Sequence, residues 1–244
     1  MDLTLLFVAL LVAEVLGTIG GFGSSMLVMP LAALFMPFDQ ALGLTALFHV
    51  FSNAAKVMLF RHGLDRRLLL TMGLPAVVGV VLGARLTAFL PGSTMELLLS
   101  VALVLLAVLL LALPTIRLRP SARNAGVGGA VSGFIAGLVG TGGAIRGLTL
   151  AAFDLEKSVF ISTSAWIDLG VDLSRTVVYA GQGYLKPEVW TYLPVMAVVS
   201  LTGTWIGRWV LGQVSQERFR RIVLLLVIAV ALFGGARALG AWLG

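Results

Sequence analysis

Residues 17–26 read GTIGGFGSSM and follow a nearly uninterrupted apolar run that starts at Leu3. Each interior glycine costs a helix roughly 1 kcal/mol against alanine, so Gly17, Gly20, Gly21 and Gly23, followed by Ser24 and Ser25, end a helix here. The apolar run resumes at once on the far side. A break inside an apolar segment, away from any hydrophilic loop, is the feature from which the rest of the chain can be read.

The chain has 244 residues, 59% hydrophobic and 11% charged, against roughly 25% charged in an average soluble domain. Long apolar runs recur along the whole length and charge gathers in the gaps between them, as spans in lipid require. No soluble domain remains once these runs are assigned. The net charge of +6 does not point to nucleic acid, because the basic residues lie between apolar runs and form no basic face. Cys is absent and only His49 and His62 are present, so no thiolate chemistry, metal site or cofactor is expected. The N-terminus lacks a basic n-region and a small-x-small cleavage site, and is read as retained.

The opening motif returns: GTIGGFGSSM aligns with GLVGTGGAIR at 137–146, a shift of 120 positions. At the same shift FRHGL (60–64) meets AGQGY (180–184), and GVVLGAR (79–85) resembles GTWIGRW (203–209). Two halves follow, 1–116 and 126–244, joined by a basic linker at 117–125. Each shows five apolar stretches: 3–19, 24–36, 40–60, 67–90 and 95–114, then 125–140, 144–153, 157–180, 188–212 and 218–242. The second stretch of each half reaches only about 20 Å or about 15 Å, short of the roughly 30 Å hydrocarbon layer.

Arg61, Arg66 and Arg67, the linker residues Arg117, Arg119 and Arg123, and Arg218, Arg220 and Arg221 mark three loops as cytoplasmic. Their equivalents in the other half, GQGYLKPEVW and LPGSTME, carry little or no positive charge. Equivalent loops on opposite sides signify an inverted repeat, which requires an odd number of crossings per half. The expected fold is therefore an all-α polytopic membrane protein of two inverted repeats. Each half has three full helices plus a re-entrant hairpin, or five crossings, and both termini face outside a cell (inner) membrane.

In that arrangement the tips GGFGSS and GTGG meet, irregular backbone being tolerated in a membrane only where protein or a cavity surrounds it. Ser24 and Ser25, and Gly142 and Gly143, would cap two short helices whose N-termini suit an anion. Gly79/Gly83 and Gly203/Gly207, four apart, are read instead as close helix packing.

Two polar stripes complete the candidate site. His49, Ser52, Asn53 and Lys56 share one helix face, as do Ser164, Asp168, Asp172, Arg175 and Tyr179. Shifted by 120, Asp172 lands on Ser52 and Arg175 beside Lys56. Ionisable groups in a span face the bundle interior and mark function by default. Asp172 and Arg175 either form a structural ion pair or serve transport. Lys56 has no acid on its own helix; it pairs with Asp168 or Asp172, or meets an anion. Arg146, without a local partner, is a substrate contact or an interfacial anchor. His49 and Glu14 are proton-relay candidates beside Asp168 and Asp172.

The paired breaks, G20-G-F-G23-S-S with Pro30 after it and G140-T-G-G143, together with the turn R61-H-G-L-D65, resemble the sulfite exporter TauE/SafE family of membrane transporters over nearly the whole chain. The resemblance implies movement of a small sulfur-containing or carboxylate anion such as sulfite or an organosulfonate, commonly by export. The second half departs from the pattern at Leu150, where no proline stands, and at Arg146. The substrate-binding set expected is Gly20, Gly21, Gly23, Ser24, Ser25, Asn53, Lys56, Gly140, Thr141, Gly142, Gly143, Arg146 and Arg175. The partners are a small anion, the lipid bilayer and protons as a coupling ion. A passive anion channel is the rival reading; an enzyme is disfavoured, since no H-E-x-x-H or G-x-S-x-G motif is present.

Overall fold

The computed structural model describes residues 3–20, 23–60, 63–112, 119–211 and 216–243. They form helices and connecting turns, with no strand among them. In the first half these are α1 (Leu3–Gly20), α2 (Ser25–Phe35), α3 (Phe38–Leu59), α4 (Arg66–Phe89) and α5 (Gly92–Ala112). The second half follows with α6 (Ala122–Val139), α7 (Gly143–Ala151), α8 (Lys157–Gly181), α9 (Leu193–Leu211) and α10 (Gln216–Leu243). A short helix, Pro187–Thr191, leads into α9.

Several boundaries follow from local chemistry. Asp65 accepts from the Leu68 amide at 2.9 Å to start α4, and Ser121 accepts from the Asn124 amide at 3.1 Å to start α6. Gly140 closes α6 in the left-handed conformation, φ 80°, which glycine adopts without steric cost. The expected capping by Ser24 does not occur. Ser24 occupies the position before α2, but its backbone is already helical and its hydroxyl turns toward His49.

By length and composition α3, α4, α5 and residues 193–210 of α9 can cross a membrane, while α1, α2 and residues 224–240 are shorter apolar helices. α8 is long enough but carries Lys157, Asp168, Asp172 and Arg175. The surface is apolar where a soluble protein would be polar. Leu74, Val78 and Leu82 stand about 60% exposed along one face of α4, and Trp205 and Trp209 are as exposed on α9. Patches of that extent belong against lipid. Glu14, His49, Asn53, Asp172 and Arg175 are all buried, so polarity is turned inward.

Helix pairing is reciprocal between the halves. α1 packs on α9 and α4 on α6; α3 packs on α8 and α5 on α10; α3 touches α9 as α4 touches α8. The glycines make the tightest of these contacts possible. A methyl group on Gly79 or Gly83 would collide with the α6 backbone at Ala130 and Phe134, and one on Gly129, Gly133 or Gly137 with α4 at Met72, Ala76 and Val80. Gly203 and Gly207 pack, less tightly, on the side chains of Glu14 and Thr18 of α1. These are small-residue packing stripes.

Candidate functional site

The two breaks touch. Gly23, left-handed with φ 82°, lies against Gly143, and the Ser25 and Thr141 hydroxyls are 3.4 Å apart. Both Ser24 and Thr141 are buried. α2 and α7 thus start side by side in the interior, each with free N–H groups and a positive dipole end. Gly20 is the last residue of α1; Gly21 lies outside the described residues, as do Arg61, His62 and Arg117.

Around this junction lies a cavity of about 30 Å³, room for one or two waters. Its wall combines Gly23, Ser24 and Ser25 of the first break with Gly140, Gly142 and Gly143 of the second. His49, Asn53 and Lys56 reach it from α3, Arg146 from α7, and Asp168, Asp172 and Arg175 from α8. Most of the residues singled out in the sequence therefore surround one space. Glu14 and Thr141 stand behind this wall, each bonded to a residue in it.

Three ion pairs organise the charges. Arg175 Nε donates to Asp172 Oδ1 at 2.7 Å, and Asn53 Nδ2 donates to Asp172 Oδ2 at 2.6 Å. The Arg175 Nη1 donates to the carbonyls of Ala136 and Gly140, at 3.3 and 3.1 Å, and the Tyr179 hydroxyl to Gly137 O at 2.6 Å. These carbonyls lie at the C-terminal, negative dipole end of α6, where Ala136 O also accepts from the Gly140 amide at 3.0 Å. Arg175 therefore braces the second break against α8, alongside its place in the cavity wall.

Arg146, expected to lack a local partner, is ion-paired with Asp168, and its Nε donates to Ser164 Oγ at 3.3 Å. The two residues of this pair are 22 apart in sequence and on different helices, so spacing within one helix could not reveal it. Lys56 does not pair with Asp168 or Asp172. Those carboxylates are taken by Arg146 and Arg175, and Lys56 Nζ lies 3.1 Å from Glu14 Oε1 and donates to Ser52 Oγ at 2.8 Å.

Glu14 is fully buried. Its Oε1 accepts from Ser52, from Thr204 at 3.0 Å and from Thr18 at 3.3 Å, whereas Oε2 has no partner. Thr204 did not emerge from the sequence. Its only signal was its place beside Gly203, in a stripe that brings α9 against α1. His49 Nδ1 lies 3.4 Å from Ser24 Oγ, and its buried Nε2 has no partner.

The chemistry available is that of a small polar cell whose charges are paired. It offers cationic and hydroxyl donors and two helix N-termini to an acceptor-rich guest. The model of the family described as sulfite exporter TauE/SafE matches residues 5–234. No curated protein and no solved structure matches the chain.

Proposed function

The chain belongs to the sulfite exporter TauE/SafE family, and from that premise we propose that it is a secondary transporter that exports a small anion by alternating access around the two glycine breaks. Sulfite, organosulfonates and related sulfur-containing or carboxylate anions are the substrate class that membership suggests. The observation that carries the reading is the cavity where the starts of α2 and α7 meet, with Lys56, Arg146 and Arg175 in its wall. Dipole ends and cations directed at one buried point suit an anion and repel a cation.

In this proposal the halves are inverted repeats and the reciprocal helix pairing is the trace of a two-fold axis through the cavity. Gly20, Gly21, Gly23, Ser24, Ser25, Gly140, Thr141, Gly142 and Gly143 supply backbone and hydroxyl donors, and Asn53 holds Asp172 in place. The basic loops face the cytoplasm of the inner membrane and the termini face outside. Glu14, His49, Asp168 and Asp172 are the groups through which protons couple to the anion. A passive channel shares the architecture, but a cavity of only about 30 Å³ walled by paired charges favours a carrier.

The test is thermal stabilisation of the purified protein in detergent by sulfite, sulfate, thiosulfate, sulfonates and short carboxylates. One anion should raise the melting temperature of wild type and have little effect on Lys56→Ala and Arg146→Ala. Equal stabilisation of both variants would contradict the site.

A further inference from the structure

Among the described residues the cavity's charges come as three cation–carboxylate pairs, so the unliganded site is neutral as a whole. An entering anion would leave an uncompensated buried negative charge, a costly condition. Neutrality returns if one of the three carboxylates takes up a proton.

The three are not equivalent. Asp172 has Asn53 on one oxygen and Arg175 on the other, and Arg175 is itself held by the end carbonyls of α6. Asp168 has Arg146 on one oxygen and the Ser164 hydroxyl 3.4 Å from the other. Glu14 gathers all its donors on Oε1 and leaves Oε2 buried and unpartnered. Lys56 lines the cavity and Glu14 does not. The ammonium, the more exposed partner at 14% against 0%, therefore stands between the carboxylate and the anion's space.

We propose that Glu14 is where the coupled proton binds: the anion draws Lys56 off Glu14, and the released carboxylate takes a proton from water at Oε2. The charge balances. A carboxylate and an ammonium become a neutral acid and an ammonium paired with the anion, so one proton travels with each negative charge accepted. The titratable or charged groups facing Glu14 are Lys56 and His49, both on α3, while Ser24, just ahead of α2, and Thr204 of α9 present hydroxyls. This inference rests on the anion-transport reading above.

The experiment is proton uptake on anion binding by the purified full chain in detergent and weak buffer. Methanesulfonate and isethionate are the probes for the proton count, being monoanions that do not titrate near neutral pH; sulfite and thiosulfate test binding alone. Wild type should take up about one proton per anion, its affinity falling about tenfold per pH unit above the midpoint. Glu14→Gln should bind with no uptake and no such pH dependence. Thr204→Val keeps the carboxylate and the volume but removes one donor to the charged form, so its midpoint should move to higher pH. Binding without uptake in wild type overturns the inference alone, as does uptake persisting in Glu14→Gln or an unmoved midpoint in Thr204→Val. Absence of binding by every probe removes the transport reading and this inference with it.

Discussion

Lys56, Arg146 and Arg175 each face a carboxylate, and the remaining partners of each decide what its loss should do. Arg175 spans Asp172 and two carbonyls at the end of α6. Arg175→Ala should therefore destabilise by about 3–5 kcal/mol, as breaking a buried pair does, and show a lowered melting temperature whether or not an anion is present. Tyr179→Phe removes one hydrogen bond at the same helix end and should cost about 1 kcal/mol. Arg146→Ala leaves Asp168 half-buried at a cavity, so it should keep more stability than Arg175→Ala while losing the anion response. At this scale the stripes were legible because a helix repeats every 3.6 residues: His49, Asn53 and Lys56, and Asp168, Asp172 and Arg175, fell on common faces. Their partners were not legible. Lys56 with Glu14 and Arg146 with Asp168 join different helices, and nothing in local spacing fixes which carboxylate a long cationic side chain reaches.

Helix boundaries were close to their sequence expectation, since apolar runs and glycine breaks set them directly. The stretch 24–36 became α2 at Ser25–Phe35, and 144–153 became α7 at Gly143–Ala151. What escaped was how tightly elements press together. Gly79 and Gly83 showed a packing stripe on α4, but the complementary stripe of Gly129, Gly133 and Gly137 on α6 appears only when the helices meet. Gly133→Val should thus separate α4 from α6 and destabilise by well over the roughly 0.5 kcal/mol typical of a substitution at an exposed site, which a lowered melting temperature would report. Gly240→Ala in α10, where an added methyl meets nothing, should be neutral or stabilise by about 0.5–1 kcal/mol. Gly140→Ala combines a left-handed φ with collision against Met29 and Leu42, and should destabilise the second break. Equal stability of Gly133→Val and Gly240→Ala would contradict the close-packed interface.

Two sets of contacts sort the helix ends of the whole molecule. Arg208 on α9 donates to Leu59 O at the end of α3, and the Asp65 amide donates to Thr163 near the start of α8. At the other end Gln182 and Tyr184 bond to Ala84 and Thr87. Arg66 and Arg67 belong to the first end, with α6 beginning beside Thr71 and Pro75 of α4. Because the chain has no native cysteine, single cysteines report sidedness cleanly. An impermeant thiol reagent on intact cells should label Lys186→Cys, and should label Arg66→Cys and Arg119→Cys only after permeabilisation; the reverse would invert the topology. The all-helical plan was readable from the apolar runs and the glycine breaks between them. The convergence of both breaks on one small cavity needed coordinates. Carriage of an anion through this site is tested by radiolabelled sulfite counterflow in proteoliposomes, with wild type beside Lys56→Ala. Saturable uptake driven by internal unlabelled anion, and lost in the variant, is expected. Flux that does not saturate, or that survives unchanged in Lys56→Ala, would contradict it.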